Sequence, residues 1–181
     1  MNDLIMLAAL LDGPKHGWAL KKLAGFLSGS GAMHNNLVYP LLKKFVTQGW
    51  ARRRSERGQR GQTRAVYSLT LRGKQELMRR LGQFAEKEAV SSTEFRVRVG
   101  LFALLDHDSC ARILDRRDQW LTSREKHFAS IGDGLTAMEA TEWGREVVAF
   151  LLQEVRSERR WIRTLEKKTR SSGLSKKLPR S

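Results

Sequence analysis

The stretch from His34 to Trp50, HNNLVYPLLKKFVTQGW, leaves the chain the least freedom. Val38, Leu41, Leu42 and Phe45 fall at i, i+3, i+4 and i+7, which places them on one stripe of a helix. Tyr39, Lys43, Lys44 and Thr47 take the opposite face. A proline deep inside a helix removes a hydrogen bond and clashes with the turn before it. Pro40 must therefore sit within or just past the first turn. This spacing predicts Asn35 or Asn36 as the N-cap, where an amide oxygen accepts an orphan backbone N–H. Gly49 then stops the helix where a left-handed residue is wanted. The product is a short amphipathic helix with amides at its start and two lysines on its wet side. Such a helix suits the major groove of DNA, since amides read adenine edges while lysines and hydroxyls reach phosphates. On this stretch alone, an ordinary surface helix with solvated lysines reads equally well.

The flanks favour the first reading. Residues 2–11 (NDLIMLAALL) are apolar on most sides, a helix that must be buried against its own fold or a second subunit. Asp12-Gly13-Pro14 breaks it. Leu20, Leu23, Ala24 and Leu27 then stripe a second helix from His16 to Leu27, and Ser28-Gly29-Ser30-Gly31 forms a loop. Three helices with short breaks, the third polar and basic, outline a helix-turn-helix. Trp50 to Glu56 and Thr63 to Thr70 follow as two extended segments, joined by a tip, Arg57 to Gln62, that Gly58 and Gly61 free. A hairpin after a recognition helix is a wing. Arginines 52, 53, 54, 57, 60 and 64 crowd onto it, opposed only by Glu56. Such a cluster repels itself, and a phosphate backbone or a narrow minor groove relieves the repulsion.

The chain's balance agrees. Its 181 residues carry 34 Lys/Arg against 19 Asp/Glu, a formal charge of +15 that calls for a polyanionic partner. The excess is concentrated in residues 1–90, with 16 basic against 6 acidic side chains, compared with 18 against 13 in residues 91–181. Cys110 is the only cysteine, so no internal disulfide and no thiolate metal cluster can form within one chain, as fits a reducing cytoplasm. The apolar run from Leu4 to Leu11 is too short to span a bilayer and lacks a basic leader and a cleavage site.

Beyond the wing the pattern is helical throughout. Thr70 caps a helix over 71–89 with Leu77, Leu81 and Phe84 inward. Residues 95–105 suit either a strand or a buried helix, and the leucines favour helix. Asp108 or Ser109 caps a helix to about Ile131, ended by Gly132-Asp133-Gly134. A last helix over about 136–168 carries Trp143, Val147, Leu151, Val155, Ile162 and Leu165 at three- and four-residue steps. At 1.5 Å per residue it is about 50 Å long, too long for one small fold to cover, so its apolar face predicts contact with another subunit. Lys167 to Ser181 is basic and without periodicity and reads as a disordered tail.

Three motifs resemble the PadR family of bacterial transcriptional regulators. They are Gly13-Pro14-x-His16-Gly17-Trp18, then Val38-Tyr39-Pro40-x-Leu42-Lys43-Lys44 before Gly49, then Val66-Tyr67-Ser68-Leu69-Thr70-x-x-Gly73, in family order over about residues 4–80. Residues 94–168 resemble more loosely the longer helical C-terminal domain of one branch. The resemblance implies a winged-helix repressor that dimerises through its C-terminal helices. It implies DNA contacts at Asn35, Asn36, Leu37, Tyr39 and the wing arginines, foremost Arg57, Arg60 and Arg64, beside Lys43 and Lys44. Leu37 stands where the family commonly has a small hydroxyl residue, and Trp18 replaces its usual tyrosine.

Enzymatic motifs are missing. Gly29-x-Gly31 lacks the lysine and hydroxyl residue of a phosphate-binding loop, and histidines 16, 34, 107 and 127 are scattered. Asp106-His107-Asp108 is the best local metal cluster, at a helix boundary where aspartates serve as caps. Cys110 on an apolar stripe reads as packed core. Trp120, Met138 and Trp143 could sandwich a planar effector. The sequence therefore predicts a mainly α protein. Residues 1–90 form a winged helix-turn-helix domain with a two-stranded β-wing, 91–168 a helical dimerisation domain and 169–181 a basic tail. Its expected role is a cytoplasmic homodimeric repressor of a pseudo-palindromic operator on double-stranded DNA, without metal, cofactor or membrane. A small aromatic effector would release it. The alternative is a basic RNA- or ribosome-associated protein.

Overall fold

A computed structural model describes residues 2–29, 31, 33–57, 63–131 and 141–171. The chain divides into two compact units: Met1–Gln83 with Arg96–Leu101, and Phe84–Phe95 with Phe102–Ser181.

In the first unit, helix α1 (Asn2–Ala9) packs on α2 (Gly17–Ser28), α3 (Asn35–Thr47) and α4 (Leu71–Gly82), and every residue from Leu4 to Leu10 is buried. The apolar first helix is thus core to its own fold. Between α1 and α2 lies a feature the periodicity did not predict, the two-residue strand β1 (Lys15–His16). It pairs antiparallel with β3 (Thr63–Leu69), which pairs on its other edge with β2 (Ala51–Arg57), so the expected two-stranded wing belongs to a three-stranded sheet in the order β1-β3-β2. Two residues are too few to show alternation, which is why β1 is invisible in sequence. The wing register sets Arg53 opposite Tyr67, Arg54 opposite Val66 and Glu56 opposite Arg64.

Thr70 caps α4 as expected, accepting from the Gly73 N–H at 3.0 Å. Its hydroxyl also lies 2.6 Å from the Gly49 carbonyl oxygen and 3.0 Å from that of Trp50, tying the end of α3 to the start of α4. A Cβ on Gly73 would overlap the Trp50 carbonyl, so only glycine lets α4 come this close. Gly49 has φ +70°, the left-handed stop expected after α3.

The helix expected over 71–89 is interrupted. α4 ends at Gly82, Gln83 is extended, and the chain turns so that Phe84 is buried before α5 (Glu86–Ala89), whose Glu88 carboxylate accepts from the Ala85 N–H at 2.7 Å. Helix α6 (Ser92–Gly100) and a 3-10 turn (Phe102–Leu104) occupy the ambiguous run. In the second unit, α7 (His107–Ser130) packs along α8 (Glu142–Ser171). The cap of α7 is Asp106, not Asp108 or Ser109: its carboxylate accepts from the Ser109 N–H at 2.7 Å, which holds it below the usual carboxylate range. The expected stop at 132–134, the first residues of the last helix and most of the tail lie outside the described residues. No helix among those described is long and apolar enough to cross a membrane.

Candidate nucleic-acid interface

α3 buries Val38, Leu42 and Phe45 and leaves Asn35, Asn36, Leu37, Tyr39, Lys43, Lys44 and Thr47 exposed, as its stripe dictates. The cap differs from expectation. His34 is the N-cap, in extended conformation and without a side-chain cap bond, and Asn35 and Asn36 form the first turn. Their amides are thus not used in closing the helix and point from an exposed turn. Pro40, the sixth residue of α3, has no N–H, so the Asn36 carbonyl four residues back lacks its helical donor. Asn36 therefore offers a main-chain acceptor as well as an amide.

Lys44 does not share this readiness. Its ammonium lies 2.7 Å from the Asp3 carboxylate, which also takes Arg80 at 3.0 Å, and both cations sit over the Trp50 ring. Lys44 thereby ties α3 to α1 and α4. Lys43, exposed as well, makes no ion pair among the described residues.

Along β2 every arginine, 52, 53, 54 and 57, is exposed, as is Arg64 at the start of β3, while Val66 and Tyr67 are buried. Arg60 lies outside the described residues. The wing and α3 meet: Tyr39 and Arg64 line one cavity of about 530 Å³. A Cβ on Gly17 would fall 3.0 Å from the Tyr39 ring, so that glycine seats the ring against the start of α2. Asn35 to Lys43 and the described wing arginines thus share one unit, and Tyr39 and Arg64 share one cleft.

The second unit treats its candidates unevenly. Val155 and Ile162 are 7% and 1% exposed, covered by their own chain, and are not available to another subunit. Leu151 and Leu165 are half-buried, whereas Trp143 and Val147 are exposed at 77% and 58%. Phe150, which the sequence reading passed over, is exposed alongside them, three residues beyond Val147. Of the three residues expected to hold an effector, two are described. Arg117 and Arg124 stack on the half-buried Trp120 with their guanidinium carbons 4.5 and 5.8 Å from its centroid, Trp143 faces solvent, and Met138 lies outside. No group of side chains suited to a metal occurs among the described residues. The Cys110 thiol is buried 3.8 Å from the Phe102 carbonyl, and burial with nearby Asp106 pushes it up to about 11.

These features define a winged helix-turn-helix protein with a helical second unit. Residues 6–79 match the model of the transcriptional regulator PadR-like family. That is the family the motifs resemble, and the matched residues hold the helix-turn-helix and the wing. Among solved structures, it is similar to Bacillus subtilis PadR in complex with operator DNA, at 18% identity over 92% of this chain and 98% of that one, TM-score 0.44. It is also similar to smu.1604c from Streptococcus mutans UA159, at 17% identity over 91% and 97%, TM-score 0.44. Bacillus subtilis PadR in complex with p-coumaric acid matches at 16% identity over 93% and 98%, TM-score 0.41. No curated relative matches the chain.

Proposed function

We propose that this chain is a homodimeric, sequence-specific DNA-binding repressor of the bacterial cytoplasm and nucleoid, released by a small-molecule effector. The observation that carries the reading is the union of the exposed face of α3 with the arginine-lined wing in one unit, Tyr39 and Arg64 sharing a cleft. Asn35, Asn36 and Leu37 enter the major groove, and Tyr39, Lys43, Arg57, Arg60 and Arg64 hold the backbone beside it. Residues 1–90 are the reading domain and 91–168 the dimerisation domain. Trp143, Val147 and Phe150 form an apolar stripe at i, i+4 and i+7 on α8, an exposed face suited to its equivalent in a second copy. A two-fold dimer reads a pseudo-palindrome with half-sites at multiples of about 10 bp.

Selection of duplexes from a random pool with the full chain tests this. A symmetric enriched site is expected, and an asymmetric site, no enrichment, or equal affinity for structured RNA rejects it. On the selected site, Asn36→Ala should lose about 1–3 kcal/mol of discrimination at one base pair. Because Asn36 is not the cap of α3, the melting temperature should stay where it is.

A further inference from the structure

The wing holds a hydroxyl among its arginines. Arg52-Arg53-Arg54 run directly into Ser55, the one serine or threonine of the chain with an arginine at each of the three positions before it. Every residue from Arg52 to Arg57 is exposed, and β2 is an edge strand in the order β1-β3-β2. The Ser55 hydroxyl makes no hydrogen bond among the described residues. Ser68, the other serine of the sheet, is half-buried and follows the buried Val66 and Tyr67.

Alternation along the strand sets Arg53, Ser55 and Arg57 on one face and Arg52, Arg54 and Glu56 on the other. Glu56, the wing's only carboxylate, is thus turned away from Ser55 and stands opposite Arg64. Ala65 stands opposite Ser55 and is too short to cover it. Ala65 and Tyr67 also line the cavity that Tyr39 lines, so the Ser55 face of the sheet borders α3. An exposed, extended segment with cations before its hydroxyl has the form that a basophilic protein kinase takes into its acidic substrate groove. Arg52 and Arg53 meet the carboxylates of that groove while the Ser55 hydroxyl is presented to ATP.

We propose that Ser55 is a phosphorylation site for a kinase of this class, and that the phosphate disables the wing as a DNA clamp. The γ-phosphoryl group of ATP passes to Ser55 Oγ. A P–O bond forms there, the bond to the β-phosphate oxygen breaks, ADP leaves with that electron pair, and the hydroxyl proton goes to the base of the kinase. The product carries a charge of about −1.5 to −2 and three strong acceptors. Arg53 and Arg57 flank it at about 7 Å along the strand, within reach of their long side chains. Pairing with them supplies from within the anion that the wing otherwise takes from outside, and the phosphate repels that of DNA.

The regulatory half of this inference rests on the DNA-binding reading above, and the modification half does not. Incubation of the full chain with ATP and the catalytic subunit of cyclic-AMP-dependent protein kinase, a basophilic enzyme, tests the site without DNA. Peptide mapping should place phosphate on Ser55, and replacing Arg52 and Arg53 together by glutamine should slow the transfer roughly tenfold or more. An unmodified Ser55, or a rate indifferent to that pair, overturns the site. With a selected operator, the phosphorylated chain should bind roughly a hundredfold more weakly, its salt slope flattened by about two for each modified wing. Ser55→Ala taken through the same kinase treatment should keep the affinity of the untreated parent, which separates Ser55 from any other modified residue. Equal affinity of the phosphorylated and untreated parent, or an equal loss in Ser55→Ala, overturns the switch. A failure to select any operator rejects the DNA reading while leaving the peptide map standing.

Discussion

Two sets of arginines in this molecule have the same chemistry and opposite circumstances. On α7 and α8, Arg117 pairs with Glu158 at 2.8 Å, Arg156 with Glu125 at 2.9 Å, and Arg159 with Asp118 and Glu125 at 2.9 and 2.6 Å. These pairs hold the Glu125 carboxyl below its usual range, Arg156 contributing first, and raise Arg159 further. On the wing, Arg52, Arg53, Arg54 and Arg57 lie exposed along one strand and make no ion pair among the described residues. Formal charge counts both sets alike. Only pairing separates cations that hold the protein together from cations that await an anion outside it, and only the second kind argues for nucleic acid.

The sharpest way to break this distinction is to remove one member of each set. Arg117 is 2% exposed, and besides Glu158 it donates to the Ala89 carbonyl and covers the faces of Trp120 and Phe95. Arg117→Ala leaves a carboxylate and a carbonyl stranded and should cost about 3–5 kcal/mol of stability in urea unfolding. Arg54→Ala should cost less than about 0.5 kcal/mol in the same measurement. Comparable losses from the two would erase the contrast.

The next largest effect belongs to the wing. Replacing Arg57, Arg60 and Arg64 together by alanine should weaken binding roughly a hundredfold, alike on all sequences. If the dimer neutralises on the order of eight phosphates, log K falls against log salt with a slope near −7, and each lost contact flattens it by about one. Unchanged affinity in low-salt gel shifts would remove the wing from the interface.

How far the sequence reaches can be judged from these elements. α3, its buried stripe and the wing arginines were legible because 3.6-residue periodicity, a proline, a glycine and a run of like charge are all local signals. The N-cap was not, since amides at two positions fit the rule for capping while the fold used His34. β1 and the break after Gly82 escaped because pairing with β3 and burial of Phe84 are tertiary effects. The role of Lys44 turns on Asp3, 41 residues away, and the covering of Val155 and Ile162 turns on the partners α8 meets. Helical spacing says which residues share a face, not what lies against it.

The smallest effect extends the contrast to pH. Within the first unit, Glu76 accepts from Arg79 at 2.7 and 2.8 Å and from Arg80 at 2.6 Å, and these bonds, that of Arg79 first, hold its carboxyl at about 2. In the unfolded chain the same group titrates near 4.5. The unfolded state therefore gains its proton first as pH falls. The contribution of Glu76 is complete above about 4.5 and is lost between there and about 2. Discounted for solvent beside the exposed Arg79, it amounts to about 1–2 kcal/mol at neutral pH. Glu76→Gln should lower neutral stability by that amount and remove the corresponding slope from the acid limb, so that the two proteins converge toward pH 2. Arg54→Gln, whose guanidinium meets no carboxylate among the described residues, should leave the acid limb unchanged. Parallel acid limbs for the parent and Glu76→Gln would show that pairing, the very property that divides the two arginine sets, does not set the energetics of either.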